Sequence, residues 1–330
     1  MKAAFYSEGK VVITEVELKQ LRDQWARLRV GKTGLCGTDL FKFSHTLPDF
    51  HTKILGHEFI GQVEDLCGLG SKIERGDWVA AIPLIPCGTC ELCRQHRQNL
   101  CLGGQAIGRT FEGALSEYVD VPIANLVKIE GPLDCYVLAD PLAVCVHAIR
   151  NAGLEHNQTC LVVGDGAIGG LLAWLLHQMG FATWIKGVHH EHLQFMEKLG
   201  VDTLTSSIRA DRFDCVFETV GRSQAGTLDE CLCAVKSGGR LVVLGVFAEG
   251  YIYPLAARNL FIREVELYGS NSYVLEDFQR AVELIRLNGK VLGEFITHRL
   301  PLSRIEEALL IANKKEGLTL KVLLEIGEFI

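Results

Sequence analysis

The first 142 residues alternate apolar and polar positions in short segments that glycine-rich turns separate. Such alternation over about 4 to 8 residues is typical of a strand with one buried face. We therefore predict that residues 1–142 form a β-rich domain. Its predicted strands lie at Ala3–Tyr6, Val11–Ile13, Ala26–Val30, Phe59–Val63, Trp78–Ile82 and Ser116–Val121.

From residue 143 onward the pattern changes to continuous apolar runs that alternate with helical segments. Continuously apolar strands between helices indicate a parallel sheet with helices on both faces. Residues 143–271 are thus predicted to form a doubly wound α/β domain. Its predicted strands lie at Cys160–Val163, Thr183–Ile185, Phe213–Phe217, Arg240–Leu244 and Glu264–Tyr268.

Residues 272–330 contain two helical patterns, Phe278–Leu287 and Ile305–Asn313, followed by a closing strand, Leu320–Leu324. This segment is too short for a core of its own, so we expect it to return to the first domain. The most apolar stretch, Ala167–Phe181, is shorter than the roughly 18 apolar residues that a membrane-spanning helix needs. It is predicted to be a buried helix.

The charge balance is mildly acidic, with 33 basic and 40 acidic residues and a net charge of −7. It argues against strong electrostatic binding to nucleic acid or to an anionic membrane. The first ten residues show no secretory signal pattern, so we expect a cytoplasmic protein, in which cysteines are thiols or metal ligands. Seven of the twelve cysteines are predicted to be small core residues: Cys67, Cys135, Cys145, Cys160, Cys215, Cys231 and Cys233.

Four further cysteines have the spacing Cys87-x2-Cys90-x2-Cys93-x7-Cys101. Four thiolates this close in sequence can surround a zinc ion at Zn–S distances of about 2.3 Å, and an all-cysteine site leaves no position for substrate. The motif therefore predicts a structural zinc that fixes a loop. The alternative is a set of free or redox-active cysteines.

The twelfth cysteine belongs to a second candidate metal site. It lies in the segment Cys36-Gly-Thr-Asp39, and a histidine follows in His57-Glu58. Thiolate and imidazole both suit zinc, and a catalytic zinc keeps one position open for water or substrate. The pair alone is weak evidence, because a single cysteine or histidine is more often a core residue than a ligand.

Residues 163–169 read Val-Gly-Asp-Gly-Ala-Ile-Gly, directly after a predicted strand and at the start of the apolar helix. In this fingerprint the glycines permit a tight turn, a close approach of the backbone to a pyrophosphate and close helix packing. The helix N-terminus attracts the negative charge. A simple glycine turn is the alternative. The predicted dinucleotide contacts are Gly164, Gly166, Ala167, Ile168 and Gly169.

Gly187 stands near the position of the acidic residue that binds the ribose 2′-hydroxyl of NAD, about 20 residues after the fingerprint. Lys186, His189 and His190 lie beside it. A 2′-phosphate fits a glycine with nearby cationic side chains better than it fits an acid, so we predict NADP rather than NAD. The alternative is a solvated turn, with the adenosine held elsewhere.

These motifs occur in one order along the chain, together with Gly113-Ala-x-x-Glu-Tyr118 and Asp140-Pro-Leu142. In that order they resemble the zinc-containing medium-chain dehydrogenase/reductase family, which includes alcohol, polyol and threonine dehydrogenases. The resemblance covers essentially the whole chain. It implies a GroES-like β-rich catalytic domain, a Rossmann cofactor domain and an active site in the cleft between them.

The resemblance also implies roles for single residues. Cys36 and His57 would hold the catalytic zinc, with Asp140 as the third ligand and Glu58 as an alternating one. Thr38 would pass the proton of the alcohol onward. A zinc ion with an open position lowers the pKa of a bound alcohol, from which hydride can then leave for the nicotinamide.

Phe41 departs from the family pattern, because many members have a histidine of the proton relay at this position. We therefore expect the proton to leave by another route, through His45, His51 or the ribose hydroxyls. Gly187 agrees with the NADP-preferring members. In these a nearby basic residue binds the phosphate, and here we expect His189 to make that contact.

Further positions resemble parts of the family's cofactor site. Gly245, Ser270 and Asn271 resemble residues that line the nicotinamide, and Lys321 resembles the basic residue that approaches the cofactor phosphates. For the first three, plain turns at strand ends are the alternative.

We therefore expect a zinc-dependent oxidoreductase that transfers a hydride between NADP(H) and a small alcohol or polyol, or the matching carbonyl compound, with two zinc ions per chain. Two alternatives stay open, zinc-independent reduction of a conjugated double bond and a non-catalytic nucleotide-binding protein of the same fold. By analogy with the family we also expect a homodimer or homotetramer, paired through the cofactor domain at an edge formed by residues 239–247.

Overall fold

The longest strands form where the sequence alternates or stays apolar, as β3 (Trp25–Gly34) and β4 (Glu58–Cys67) illustrate. The protein is represented by a computed structural model that describes residues 1–7, 10–44, 53–68, 72–206, 208, 210–221, 226–247 and 249–327. The chain divides into two units, Met1–Ala143 with Tyr273–Ile330, and Val144–Ser272. The segment after residue 272 thus belongs to the same unit as the N-terminal part.

The first unit is built on antiparallel strands. Its other strands are β1 (Lys2–Ser7), β2 (Lys10–Glu15), β5 (Trp78–Ala81), β6 (Leu84–Ile85), β7 (Gln105–Ala106), β8 (Tyr118–Pro122), β9 (Leu126–Lys128), β16 (Ile296–Pro301) and β17 (Lys321–Glu325). The main sheet has the order β16-β17-β3-β4-β5-β9, and β8 also pairs with β3. β1 pairs with β2, and β6 pairs with β7.

The first unit also contains helices. They are α1 (Gly37–Ser44), α2 (Glu91–Arg94), α8 (Leu275–Gly293) and α9 (Ile305–Lys314), and α3 (Ala139–Ala152) crosses the boundary to the second unit. Of these, α9 packs against β16 and β17. Successive side chains of a strand point to opposite faces. Ala26, Leu28 and Val30 of β3 accordingly share one fully buried face with Val79 and Val119.

The second unit contains one parallel sheet. Its strands are β10 (Thr159–Val163), β11 (Ala182–Lys186), β12 (Asp202–Leu204), β13 (Phe213–Glu218), β14 (Val235–Val243) and β15 (Glu266–Gly269). Their spatial order is β12-β11-β10-β13-β14-β15, and every neighbouring pair is parallel. This is the order 3-2-1-4-5-6 of a doubly wound dinucleotide-binding sheet, which confirms the predicted fold class.

Four helices lie between these strands, α4 (Ala167–Gln178), α5 (His190–Lys198), α6 (Thr227–Ala234) and α7 (Ala257–Arg263). In α4 every residue from Gly169 to Leu176 is buried, so the prediction of a buried helix is confirmed. Among the described residues, no helix has both the length and the apolar character that crossing a membrane requires.

The predicted strands all overlap strands of the structure. The prediction that residues 239–247 form an edge of the sheet is wrong. Residues 239–243 lie in β14, which pairs with β13 on one side and β15 on the other. The outermost strand on this side of the described sheet is β15. β14 has partners on both sides because the next crossover adds one more parallel strand.

The seven cysteines predicted to be core residues fall into two groups. Cys67 is partly buried and Cys233 is exposed, so the prediction is wrong for Cys233, which lies in the last turn of α6. Burial raises the pKa of the thiol of Cys160 to about 12. The five buried cysteines are Cys135, Cys145, Cys160, Cys215 and Cys231.

Candidate functional site

Three strands of the first unit have one of their ends at the same place. β3 ends at Gly34, whose antiparallel partner is Glu58, the first residue of β4. β17 pairs with β3 on its other side and begins at Lys321. Cys36 lies just beyond the end of β3 and His57 just before the start of β4, so the sheet brings their side chains together.

The side chains at this end of the sheet form a group of metal-ligand type. One ligand atom from each of Cys36, His57 and Glu58 lies within 4.8 Å of the other two. Thiolate, imidazole and carboxylate are the ligand types of zinc, so the donor set fits this metal. Sequence analysis placed Asp140 ahead of Glu58, whereas the structure brings Glu58 into the group.

Asp140 lies next to this group, in the first turn of α3, but is not part of it. The hydroxyl of Tyr273 donates a hydrogen bond to Oδ1 of Asp140. Loss of surrounding water raises the pKa of Asp140 to about 6, although the charge of His57 acts in the opposite direction. The role of Asp140 as a zinc ligand stays a prediction, and no motif of the sequence indicated Tyr273.

Asp39 contacts both the cysteine and the histidine of the group. Its buried Oδ1 lies 3.6 Å from Nδ1 of His57, and its Oδ2 accepts a hydrogen bond of 3.1 Å from the backbone N–H of Cys36. Burial alone lowers the pKa of His57, but the negative charges of Asp39 and Cys36 raise it well above its usual value. Because Nδ1 faces Asp39, Nε2 is the ring nitrogen that would bind a metal.

Lys321 neutralises Glu58 inside the protein. Its Nζ lies 2.6 Å from Oε2 of Glu58 and donates a further hydrogen bond of 3.2 Å to the carbonyl oxygen of Leu35. The two side chains are only 5% and 2% exposed. A Cβ on Gly34 would lie 2.7 Å from Oε2 of Glu58, so this glycine, two residues before Cys36, makes room for the carboxylate.

This ion pair gives Lys321 a partner that sequence analysis did not name. The resemblance assigns Lys321 to the cofactor phosphates, and that contact stays a prediction. The described structure commits the ammonium group to Glu58 in the first unit. The two residues are 263 positions apart, so no local pattern could have indicated the pair.

The predicted proton path is only partly described. Thr38 lies in the first turn of α1 and is exposed, two residues after Cys36. Phe41 is partly buried on the same helix. His45 and His51, the expected alternatives to the missing histidine, lie outside the described residues. The role of Thr38 therefore stays a prediction.

The four cysteines of the loop converge as their spacing predicts. The Sγ atoms of Cys87 and Cys93 are 4.0 Å apart and those of Cys90 and Cys101 are 3.8 Å apart. A tetrahedral site with Zn–S bonds of about 2.3 Å has S–S edges of about 3.8 Å. The backbone N–H groups of Thr89 and Cys90 lower the pKa of Cys87 to about 6, which favours the thiolate that binds metal. The loop therefore fits zinc.

The glycine fingerprint of the second unit has the geometry of a phosphate-binding turn. Gly164 has a φ of +117°, a conformation that residues with a Cβ rarely adopt. A Cβ on Gly169 would lie 1.8 Å from the carbonyl oxygen of Gly164, so only glycine lets α4 begin this close to the turn. Gly166 precedes the first residue of α4, and no described side chain caps the helix. Its first N–H groups are therefore available to a pyrophosphate.

A buried carboxylate lies beside this turn. Oδ2 of Asp165 accepts hydrogen bonds from the backbone N–H groups of Val188 and His189, at 2.7 and 2.6 Å. Oδ1 lies 2.9 Å from Nδ1 of His189. Lys186 pairs with Glu230. Sequence analysis named the basic side chains at this turn but gave Asp165 no role.

The predicted nicotinamide residues lie at the carboxyl ends of neighbouring strands. The backbone N–H of Gly245 donates to the carbonyl of Glu218, and that of Ser270 donates to Val243. The buried hydroxyl of Ser270 has no hydrogen-bond partner among the described residues. An unsatisfied hydroxyl at this edge of a parallel sheet fits a polar group of a ligand. The assignments of Gly245, Ser270 and Asn271 stay predictions.

Comparison with known proteins finds relatives that cover both units. Residues 22–131 match the family Alcohol dehydrogenase GroES-like domain, and residues 167–286 match the family Zinc-binding dehydrogenase. D-altritol 5-dehydrogenase of Agrobacterium fabrum is 31% identical over 91% of this chain and 92% of its own length. D-arabitol-phosphate dehydrogenase of Enterococcus avium is 26% identical over 96% of this chain and 94% of its own.

A solved structure shares the whole architecture. It is that of a Sinorhizobium meliloti 1021 protein, assigned as a zinc-binding dehydrogenase and bound to NADP. It superposes with a TM-score of 0.90 at 25% sequence identity and covers 98% of each chain.

Proposed function

Because the chain belongs to the zinc-containing medium-chain dehydrogenase/reductase family, we propose that it transfers a hydride between NADP(H) and a small alcohol or polyol, or the matching carbonyl compound, with zinc as cofactor. The resemblance found in the sequence is confirmed, as is the fold class of a GroES-like domain and a Rossmann domain. The chain is an oxidoreductase of the alcohol and polyol dehydrogenase type. The observation that carries the zinc proposal is the group formed by Cys36, His57 and Glu58.

The substrate class rests on the names of the relatives. One acts on D-altritol and another on a phosphate of D-arabitol, and both substrates are linear polyols. A polyol presents neighbouring hydroxyl groups, so a zinc site that takes one hydroxyl leaves the others for polar side chains. We therefore place a polyol ahead of a simple alcohol as the substrate to test.

The chain supplies the positioning for this chemistry. Bound zinc would act as a Lewis acid that lowers the pKa of the substrate hydroxyl. Asp39 places a carboxylate oxygen 3.6 Å from Nδ1 of His57, and Lys321 forms an ion pair with Glu58 inside the protein. Thr38, in the first turn of α1, is the residue that we propose to accept the proton of the substrate hydroxyl.

A second zinc is proposed for the loop of four cysteines. Its sulfur–sulfur distances of 3.8 and 4.0 Å match a closed tetrahedral site, which has no position for substrate. This zinc would hold the loop that contains α2 and leave the chemistry to the first site.

The cofactor proposal is NADP(H), with His189 at the 2′-phosphate. The structural relative from S. meliloti binds NADP. Lys186 is paired with Glu230, whereas the side chain of His189 is 32% exposed. Of these two basic residues, His189 is therefore the better placed to contact the 2′-phosphate. Gly245, Ser270 and Asn271 would line the nicotinamide, with the hydroxyl of Ser270 as a hydrogen-bonding group.

Metal content and turnover test the proposal together. Protein purified without chelator is expected to contain two zinc ions per chain by mass spectrometry and to oxidise polyols with NADP. Cys36→Ser should retain one zinc and lose at least about 100-fold in turnover, because removal of a Lewis acid costs several kcal/mol of transition-state stabilisation. Its dissociation constant for NADPH, measured by fluorescence, should be unchanged, since Cys36 lies in the other unit.

Two control variants separate the sites. Cys90→Ser should also lose one zinc, but it should lower the melting temperature and leave turnover of the remaining folded protein intact. Cys233→Ser changes an exposed cysteine outside both groups and should keep two zinc ions and full turnover. One zinc per chain in the unaltered protein would support reduction of a conjugated double bond instead. NADPH binding without turnover of any polyol, alcohol or carbonyl compound would support a non-catalytic protein.

We also propose that the chain forms a homodimer or homotetramer through the outer edge of β15. All four residues of β15 are exposed, and Phe261 on the adjacent α7 is 82% exposed. An exposed strand edge beside apolar side chains is a template for pairing with a second copy. Light scattering should give at least twice the mass of one chain, and Leu267→Lys in β15 should reduce it to one. Leu287→Lys, at an exposed position of α8, should not change it. A monomeric unaltered protein would contradict this proposal.

A further inference from the structure

The surroundings of position 187 explain why this residue is a glycine. Its φ is not in the left-handed region, so the backbone would accept a side chain. A Cβ on Gly187 would, however, lie 2.1 Å from Oδ2 of Asp165 and 2.3 Å from its Cβ and Cγ. These three atoms are its nearest neighbours, and Cβ contacts shorter than 3.0 Å essentially do not occur. Gly187 is therefore needed because the carboxyl group of Asp165 fills the space.

In an NAD-type fingerprint, the side chain of the acidic residue starts in this space. Gly187 directly follows β11, the second strand of the fold, and the NAD-type acid stands at the end of that strand. The carboxylate has therefore not been lost from this region. It comes from residue 165, inside the glycine fingerprint, rather than from residue 187.

Asp165 is committed to the turn that follows β11. Its Oδ2 accepts two backbone N–H groups, and its Oδ1 lies 2.9 Å from Nδ1 of His189. The side chain is 7% exposed. Burial alone would raise its pKa, but the hydrogen bonds from His189 hold it below the usual value, so the group is a carboxylate at neutral pH. An acid with these partners joins the glycine turn to the start of α5.

This carboxylate fixes the ring of His189. A carboxylate only accepts hydrogen bonds, so Nδ1 of His189 carries the proton and Nε2 is the nitrogen left for a ligand. Nδ1 of His192 donates to the carbonyl oxygen of Asp165 at 2.8 Å, and its ring lies against that of His189 with centroids 4.7 Å apart. Among the described residues, Asp165 and His192 are thus the charged or titratable groups in contact with His189.

The same three residues could be taken for a metal site, since their ligand atoms lie within 4.8 Å of one another. The distance of 2.9 Å between Nδ1 of His189 and Oδ1 of Asp165 is that of a direct hydrogen bond. Two ligands of one zinc ion with bonds of about 2.1 Å would lie about 3.4 Å apart in a tetrahedral site. The group is therefore better described as a hydrogen-bonded cluster.

We propose that Asp165 is a specificity-determining residue for the cofactor: it fills the space that a side chain at position 187 would need, directs its oxygens to the backbone and to His189 rather than to the ribose, and orients His189 to contact the ribose 2′-phosphate. Position 189, rather than position 187, then selects between NADP and NAD. This inference rests on the proposed NADP(H)-dependent function. When both ring nitrogens of His189 carry a proton, Nδ1 donates to Asp165 and Nε2 can donate to a phosphate oxygen.

Binding of two nucleotide fragments to the zinc-loaded protein tests the orienting role. Adenosine 2′,5′-bisphosphate carries the 2′-phosphate and 5′-AMP lacks it, so the ratio of their dissociation constants by calorimetry isolates this contact. Asp165→Asn can still accept the backbone N–H groups but no longer offers Nδ1 of His189 a negatively charged acceptor. It should weaken binding of the bisphosphate about tenfold or more and leave 5′-AMP within about twofold.

Two further readouts distinguish orientation from a general structural role. His189→Gln should cause the same selective loss, and the double variant with Asp165→Asn should add little to it. If Asp165→Asn fails to fold, His189→Gln still decides.

An exchange of positions tests the shared space. Gly187→Asp alone should lose binding of both fragments, because its side chain collides with Asp165 and repels its charge. Asp165→Gly combined with Gly187→Asp should restore 5′-AMP binding and favour NADH over NADPH about tenfold or more. The inference is overturned if Gly187→Asp alone binds 5′-AMP normally, or if Asp165→Asn and His189→Gln leave the ratio unchanged. Failure of the proposed NADP preference would appear differently, as unaltered protein that prefers 5′-AMP and NADH.

Discussion

Replacing Lys321 by methionine is expected to destabilise the first unit by about 3–5 kcal/mol, measured by urea unfolding of chelator-treated protein. The substitution removes the partner of the buried Glu58 carboxylate. In the unaltered protein the side chains of Lys321 and Glu58 are only 5% and 2% exposed. Methionine retains most of the apolar stem of lysine, so the loss reflects the unpaired charge rather than a cavity. The chelator matters because a bound metal would otherwise compensate the charge of Glu58.

A second substitution should reverse part of this loss. Glu58→Gln removes the charge, so the double variant should be more stable than the sum of the two single losses predicts, by about 2 kcal/mol or more. Lys128→Met is the matched control, because its pair with Asp77 has the same N–O distance of 2.6 Å but a lysine that is 59% exposed. It should cost less than about 1 kcal/mol. Equal losses for the two lysine variants would show that burial of the Glu58 pair has no special effect.

The fold was largely predictable because its long elements carry local patterns. Alternation in β3 and continuous apolar residues in β10 identify these strands without knowledge of their partners. β6 and β7 have two residues each, too few for a pattern, and they exist because they pair with each other. The position of β14 inside the sheet depends on where a later strand adds, which its own sequence does not encode.

The candidate site was predictable only where its residues are neighbours in the sequence. The cysteine loop follows from spacing, and Cys36 and His57 follow from short motifs. The partners of these ligands come from far along the chain: Tyr273 lies 133 residues from Asp140, and Lys321 lies 263 residues from Glu58. Their roles require the sheet that brings the strand ends together.

Gly187 shows how a correct local observation can lead to an incomplete explanation. The sequence has no acid at this position, and that absence favoured a 2′-phosphate. The structure shows that the carboxylate of Asp165 fills the space instead, from 22 positions earlier in the chain. The absence of an acid in the sequence is therefore not an absence of negative charge at this place.

Gly169→Ala is expected to abolish binding of NADPH, with a loss of affinity of at least about 100-fold. The added Cβ would lie 1.8 Å from the carbonyl oxygen of Gly164 and 2.9 Å from Oγ1 of Thr219. The oxygen belongs to the backbone of a turn whose φ is +117°, so it cannot rotate away as a side chain would. α4 must instead move away from β10. This movement separates the helix N-terminus from the glycine turn, and the two together would hold the pyrophosphate.

The same substitution should lower the free energy of unfolding of the second unit by about 3 kcal/mol, which is the upper part of the range for overpacked sites. The first unit should retain both zinc ions, since all the proposed ligands lie there. Gly293→Ala, at the end of α8 with no atom near the added Cβ, is the control and should be neutral or stabilising by up to about 1 kcal/mol. Fluorescence titration with NADPH, zinc analysis and thermal unfolding on the two variants decide the matter. A Gly169→Ala protein that binds NADPH within about tenfold of the unaltered chain would mean that α4 can shift without moving its N-terminus away from the cofactor.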